Sequence, residues 1–387
     1  MIVGITYLLT ALVVFWAITV GLQTLAAIFP YRCPRPHHPP VSTVIVVPAH
    51  NEELGISRCL RSVRASIGER TRVLVIADNC TDRTADLARA GGAEVIERHD
   101  MRNMGKPFAL QFALEQLRRD PPEVVVFLDA DGIVGGGSLT DMAAMAHASQ
   151  RPVQALNLVD RRRSARALAA FSVLGNRFHN LVRPLGNLKL GLPCLLMGSG
   201  MAIPWPAIET VGRISAGLGE DKQLGVDLAI AGWPPRFFPL TKISSRTPTQ
   251  VRDYLTQRKR WEQGHLATAA RAIPRLLASG LVSGRIGLLT LAAELFVPPV
   301  AVIVLTWMLA TLLALMIPAA HGALGGLALA ALAFVVSLGV SWWVFCRRLP
   351  LRTLALAPLF VLRKLPMYLA MVAKGRQNTW VRSERGP

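Results

Sequence analysis

Lysine and arginine are missing altogether from the 61 residues between Ile286 and Cys346, where Glu294 is the one acid. A water-facing domain, in which about 25% of residues are charged, does not leave such a gap. Charge is scarce throughout, at 17% against 52% apolar residues, and acids are scarcer than bases, 24 Asp and Glu against 43 Lys and Arg. The resulting formal charge of +19 is crowded outside the uncharged segment. It does not lie on an aromatic-studded polar face, and aromatics make up only 6% of the chain, so a nucleic-acid-binding surface is excluded. Cysteine is rare as well: Cys33, Cys59, Cys80, Cys194 and Cys346 form no C-x-x-C pair. An odd, scattered set suits neither a disulfide framework nor a thiolate zinc site, and fits a reduced compartment. No G-x-G-x-x-G follows the first strand-like run and there is no G-x-x-x-x-G-K-[ST], which leaves no dinucleotide or P-loop phosphate cradle.

What is present begins with apolar blocks. Ile2 to Pro30 is nearly continuous apolar sequence, about 42 Å as a helix at ~1.5 Å per residue, and so longer than a ~30 Å hydrocarbon core. It lacks the basic start and small-residue cleavage site of a secretory signal, and predicts a transmembrane anchor over residues 1–31. In the block from Ile286 to Ile317, Pro298-Pro299 must break the helix into a shallow first piece and a spanning second piece from Val300. Gly322 to Phe345, closed by Arg347-Arg348, completes a transmembrane hairpin over 286–346. Leu354 to Ala373 contains Pro358, Arg363, Lys364 and Pro366, and a centred Lys or Arg costs roughly 2.5–3.5 kcal/mol. Residues 347–387 therefore read as an interfacial or re-entrant helix with a basic cytosolic tail. Basic residues beside the spans place the stretch from Tyr31 to Arg285 in the cytosol. The expectation is a multi-pass protein of the inner (plasma) membrane with about three transmembrane helices.

Between the blocks the pattern is α/β. Val41 to Val47 is a β-branched run ending in Pro48-Ala-His-Asn-Glu52, with helical sequence from Glu53 to Ser66. Arg72 to Ile76 leads to Asp78, with Thr81 or Asp82 placed to cap a helix to Ala90; Ala93 to Ile96 is a third strand; Gly105-Lys106-Pro107 opens a helix to Leu117; Val124 to Leu128 ends in Asp129-Ala-Asp131-Gly132. Strands alternating with helices predict a doubly wound, mostly parallel sheet over 32–248, with ligands outside the strand carboxyl ends. Glu52, Asp78, Asp129 and Asp131 stand at those ends. Two carboxylates at i and i+2 can share a hard divalent cation, although Asp-x-Asp-Gly is also a common turn. Lys106 at a helix start suits a phosphate or a solvated surface. Glu220-Asp221 after Gly219 is an acid pair that also suits a helix N-terminus. In the helical stretch from Thr249, part of an interfacial region over 249–285, Gln257, Arg260 and Trp261 share one helical side. Trp261 suits a membrane-interface belt equally well.

Taken in order, Pro48-Ala-His-Asn-Glu52, Asp78 in ADNCTDRT, Gly105-Lys106, Asp129-x-Asp131, Glu220-Asp221 and Gln257-x-x-Arg260-Trp261 resemble a membrane-integrated family 2 glycosyltransferase. The group is that of cellulose, hyaluronan and poly-N-acetylglucosamine synthases and ceramide glucosyltransferases. The resemblance implies a GT-A fold. It places Pro48, Glu52 and Asp78 at the nucleotide, and Lys106, Gln257 and Arg260 around the donor diphosphate. Asp129 and Asp131 hold Mn²⁺ or Mg²⁺ in this picture, with Asp129 also at the donor. Asp221 is the general base, with Glu220 beside it, and Trp261 meets the acceptor. The tail Trp380-Val-Arg382-Ser383-Glu-Arg385 is similar to a W-x-x-T-x-R gating motif with Ser for Thr. Gly219 replaces the usual Thr before the acid pair.

The implied activity is inverting transfer of a hexose, glucose or N-acetylglucosamine favoured, from a UDP-sugar to a membrane-held lipid-linked glycan or glycolipid in the cytosolic leaflet, with a β-linkage. Three spans are few for a secretion channel, so the alternative, a processive exopolysaccharide synthase, needs an accessory subunit or a homo-oligomer. Membrane lipids are expected partners and nucleic acid is not.

Overall fold

The computed structural model describes residues 1–30, 41–160, 173–246, 251–347 and 368. The stretch Leu354 to Ala373 (apart from Tyr368) and the tail residues Trp380, Arg382, Ser383 and Arg385 lie outside them. The chain divides into two compact units. One contains the described parts of 32–160 and 192–291; the other gathers those of 1–31, 161–191 and 292–377.

The first unit is built on an eight-stranded sheet of order β3-β2-β1-β4-β7-β6-β8-β5. Its elements are β1 (Thr43–Ala49), β2 (Thr71–Asp78), β3 (Glu94–Arg98), β4 (Val124–Phe127), β5 (Ile133–Gly136), β6 (Val153–Asp160), β7 (Met201–Pro204) and β8 (Arg236–Arg246). The first half is the parallel set the sequence predicts: β1 lies between β2 and β4 in parallel register, and β3 follows β2. Helices cover both faces of β1, which explains its unbroken β-branched run. Ile45 and Val47 pack toward Ile56 and Leu60, while Val44 and Val46 pack toward Leu110 and Leu114. The second half departs from a purely parallel sheet. β7 runs antiparallel to β4 and β6, and β5 antiparallel to β8. Two helices are shorter than their sequence patterns. Ile56–Arg64 starts late because Asn51 to Gly55 is held in a turn, and Thr84–Ala90 starts where the Asp82 carboxylate accepts from the Thr84 amide at 3.0 Å.

In the second unit, the helices Ile2–Ile28 and Ala323–Phe345 are each long and apolar enough to cross a membrane. Val13, Trp16 and Val20 of the first pack with Phe178, Ile303 and Phe334, while Leu8, Ile18 and Leu22 remain exposed. Pro298-Pro299 does break its block: Ile286–Phe296 and Val300–Met316 form a pair bent by 74°, a third span if the pair counts as one. Glu294 is buried in a polar network. Its carboxylate accepts from Asn187 Nδ2 at 2.7 Å, and its carbonyl accepts from Arg183 Nη2 at 3.0 Å. Gln23 accepts from Arg183 Nε at 2.8 Å and donates to Asn187 at 3.0 Å. An acid in apolar surroundings persists only with such partners.

Candidate active site

Two strand exits in the sheet unit carry asparagines in the left-handed region, Asn51 at φ 53° and Asn79 at φ 52°. Asparagine tolerates that conformation because its short side chain bonds locally. Asn51 Oδ1 accepts from the Thr81 amide at 2.7 Å, and the Glu52 amide donates to Thr84 Oγ1 at 2.7 Å, so the β1 and β2 exits are tied together. His50 Nδ1 meets the Asp78 carbonyl at 2.7 Å, just beyond Pro48, which is still within β1. Asp78 is 4% exposed. Its Oδ1 accepts from Arg98 Nη1 at 2.6 Å and from Asn79 Nδ2 at 3.2 Å, while Arg98 Nη2 donates to Asp100 at 2.9 Å. Arg98, Asn79 and Asp100 thus fix Asp78.

At the β4 exit, the Asp129 amide donates to Ser199 Oγ at 3.1 Å. Lys106 Nζ donates to Asp129 Oδ1 and, at 2.7 Å, to the Gly198 carbonyl. Burial opposes the charge on Lys106, but the carboxylates of Asp129, Glu220 and Asp221 outweigh it and raise the lysine pKa. The Glu52 carboxylate folds back over Gly55, where a Cβ would stand 3.6 Å from Oε2 and 3.8 Å from the Ala130 carbonyl. Burial first, then the charges of Asp131, Asp129 and Glu52, push the Cys59 thiol up to about 12.

The acid pair opens the helix Glu220–Ile230. Asp221 reaches Gly198, where a Cβ would lie 3.1 Å from its Oδ2 and 3.7 Å from Lys106 Nζ, so the carboxylate and the ammonium share one small space. Burial and the neighbouring Asp221 charge push Glu220 up to about 7. Gly219, at φ +84°, lies against the helix Val251–Ser283: a Cβ there would meet Thr268 Oγ1 at 2.7 Å and the Gly264 carbonyl at 3.0 Å. The helix carrying Gln257, Arg260 and Trp261 therefore touches the acid loop at Gly264. On it Gln257 and Arg260 are half-buried and Trp261 is 43% exposed.

Among the described residues no group of three or more His, Cys, Asp or Glu side chains is disposed to hold a metal ion. Asp129 and Asp131 fit a hard cation that draws its other oxygens from a diphosphate and water, and not a closed protein cage. A strand-exit carboxylate bonded to a lysine, with Asp221 beside the same Gly198, offers groups for a cation, a phosphate and an exchangeable proton.

Residues 39–264 match the model of the family described as "Glycosyltransferase like family 2". The chain belongs to this glycosyltransferase family. Among curated relatives, this glycosyltransferase is 25% identical over 247 residues to the "Probable glycosyltransferase YdaM" of Bacillus subtilis, covering 57% of the chain and 54% of the relative. It is 37% identical over 78 residues, 20% of the chain and 18% of the relative, to the "Low-salt glycan biosynthesis hexosyltransferase Agl6" of Haloferax volcanii. The match thus spans about half the length of the first relative and less of the second. Among solved structures, the mannosyltransferase PcManGT of Pyrobaculum calidifontis, in complex with GDP-Man and Mn²⁺, superposes with a TM-score of 0.59 at 20% identity. That comparison covers 88% of this chain and 97% of the other, and shows the GT-A-like fold.

Sequence reasoning did not single out Arg98, Gly198, Ser199, Gly264 or Thr268. Gly198-Ser199-Gly200 before a short strand was the available signal for a close-packed site floor. Arg98 carried one too, as a basic residue ending a strand next to Asp78's.

Proposed function

We propose that this glycosyltransferase transfers a hexose from a UDP-sugar, with inversion, to a membrane-held lipid-linked glycan or glycolipid on the cytosolic side of a membrane. The observation that carries this reading is the meeting of Asp221, Lys106 and Asp129 around Gly198. A carboxylate able to take a proton stands beside groups able to bind a diphosphate. Mn²⁺ or Mg²⁺, held by Asp129 and Asp131, would supply Lewis-acid stabilisation of the departing diphosphate.

Asp221 accepts the proton of the incoming hydroxyl, work that contributes about 10²–10⁴-fold. Burial and then the neighbouring Asp221 charge raise the Glu220 pKa to about 7. A single in-line displacement from an α-linked donor then gives a β-linkage. Gln257 and Arg260 meet the diphosphate and Trp261 the acceptor sugar, on the helix that touches the acid loop.

Asp78 favours uridine. Its Oδ1 already accepts from Arg98 and Asn79, which leaves Oδ2 to take one ring N–H. Uracil offers one at N3, whereas guanine offers an adjacent pair that calls for both oxygens. The 27-residue helix Ile2–Ile28 and the apolar helix Ala323–Phe345 support a membrane-held acceptor and an inner-membrane, multi-pass location. The test is UDP release by the full chain in detergent or vesicles with UDP-glucose, UDP-N-acetylglucosamine and GDP-mannose, with and without Mn²⁺, and size analysis of radiolabelled product. Metal-dependent UDP release with a short lipid-extractable product is expected, and Asp131→Asn should abolish it without removing the folded protein from the membrane. Release from GDP-mannose alone, or a rate indifferent to divalent ions, refutes the reading; a long polymer favours the processive alternative.

A further inference from the structure

We infer that Lys106 is a resident counter-cation of the donor site, occupying Asp129 until a metal-bound diphosphate displaces it, so that metal and nucleotide bind as one coupled event. The inference rests on the donor-site reading above and goes beyond it in making Lys106 the group that couples metal binding to nucleotide binding. Three observations carry it. Lys106 Nζ bonds directly to Asp129 Oδ1, the oxygen a cation would need. Its second partner, the Gly198 carbonyl at 2.7 Å, holds it on the Asp221 side of the site, so one ammonium serves the two separate acid positions. The lysine side chain is 24% exposed and that of Asp129 37%, so the pair is open to solvent and to exchange of partners.

The competition is electrostatic. A divalent ion arriving alone must evict the ammonium from Asp129 and then sit within a few ångströms of it. Two like charges ~4 Å apart at an effective dielectric near 20 repel by about 4 kcal/mol per unit product, and this partly exposed site screens much of that. A diphosphate arriving with the metal removes the conflict, because its oxygens give the displaced ammonium a new partner within reach of Gly198. Metal and nucleotide then raise each other's affinity, and by linkage they do so by the same factor.

The experiment measures Mn²⁺ binding by the full-length protein, with free Mn²⁺ counted by electron paramagnetic resonance, in the absence and presence of saturating UDP. Wild type should bind Mn²⁺ weakly alone and much more tightly with UDP. Lys106→Gln should bind Mn²⁺ alone on the order of ten-fold more tightly than wild type, since one competing unit charge is gone. With UDP it should bind no more tightly than wild type, because the diphosphate has lost a partner, so the UDP-induced gain shrinks. Lys106→Arg, which keeps the charge, should keep the weak affinity for Mn²⁺ alone, and Lys106→Met is a second neutral variant should Gln not fold. Equal Mn²⁺ affinity of wild type and both neutral variants without UDP overturns the inference, as does an unchanged UDP-induced gain. Failure of the wild type to bind UDP with Mn²⁺ at all would instead defeat the donor-site reading itself, and the inference with it.

Discussion

Gly264→Ala adds one methyl group at the contact between the long helix Val251–Ser283 and the acid loop, and two effects oppose each other there. The new Cβ would stand 3.1 Å from the Gly219 amide nitrogen and 3.3 Å from the Leu218 carbonyl carbon, both backbone atoms that have no rotamer to change. Such overpacking costs about 1–3 kcal/mol. Alanine in a helix interior returns about 1 kcal/mol relative to glycine, so the net loss of stability should be about 0–2 kcal/mol. Function should suffer more, because relief requires the loop before Glu220 and Asp221 to retreat by a few tenths of an ångström. A 1 Å misplacement costs about 10²-fold, so a shift of this size should lower kcat by about 3–10-fold. Affinity for UDP with Mn²⁺ should stay within about two-fold, since Asp78 and Asp129 stand on other strand exits. Gly219→Ala should be worse: at φ +84° a non-glycine residue costs about 1–2 kcal/mol, and its Cβ also meets Thr268 Oγ1 at 2.7 Å. Thr268→Ala should recover part of that second loss. The assay pairs thermal unfolding with steady-state kinetics and UDP calorimetry. A Gly264→Ala enzyme that is more stable than wild type with unchanged kcat would refute the reasoning, because helix propensity would have won without moving the acids.

Three further outcomes are expected. Asp221→Asn should cut sugar transfer by about 10²–10⁴-fold while leaving calorimetric UDP affinity nearly unchanged; equal loss of both would move Asp221 into donor binding. Burial and Asp221 raise the Glu220 pKa to about 7, so the folded state holds a proton that the unfolded chain has released, and wild-type stability falls as pH rises from about 5 to 8. Without divalent ions, the melting temperature of Glu220→Gln should therefore gain on wild type across that range; parallel curves would refute the shift. In the helical unit a Cβ at Gly186 would run into the Gln23 carbonyl, so Gly186→Ala should separate Gln23 from Arg183 and Asn187 and cost about 3 kcal/mol or more, as losses around buried charges do. Membrane-extracted protein of normal thermal stability would contradict that.

The half of the fold that was legible is the half in which sequence-local chemistry sets the structure. β1, β2 and β4 are buried on both faces, so they appear as continuous apolar runs, and their exits are marked by Glu52, Asp78 and Asp129. β6 and β8 were not legible because their pairing is settled by distant partners. Val153 to Ala155 pair with Arg236 to Phe238, the register slips at Leu156, and β8 is flanked on its other side by the antiparallel β5. The slip skips Pro239 to Thr241 of β8, and the proline, which cannot donate to the ladder, is its one local mark. The sequence likewise marked the proline break after Phe296, which is a local steric matter, but not the placement of residues 173–191 with the apolar helices, which depends on Arg183 finding Gln23 and Glu294.

The candidate site divides along the same line. Motif spacing locates carboxylates, because a strand exit and a helix N-terminus each have a local signature. It does not say which cation a carboxylate holds at a given moment. Lys106, at a glycine-flanked helix start, suited a phosphate, and here it pairs with Asp129. An arriving diphosphate can take the lysine's third N–H or, as we infer, draw the ammonium away from Asp129. Asp78 is the contrasting case. Arg98, itself tied to Asp100, and Asn79 hold one of its oxygens, so the carboxylate is fixed in advance, and rigidity of that kind would suit selection of a base. If Asp78 takes the base and the Lys106–Asp129 pair yields to the diphosphate, as proposed above, metal and nucleotide enter together, which keeps a strong Lewis acid out of the site until there is a leaving group for it to act on.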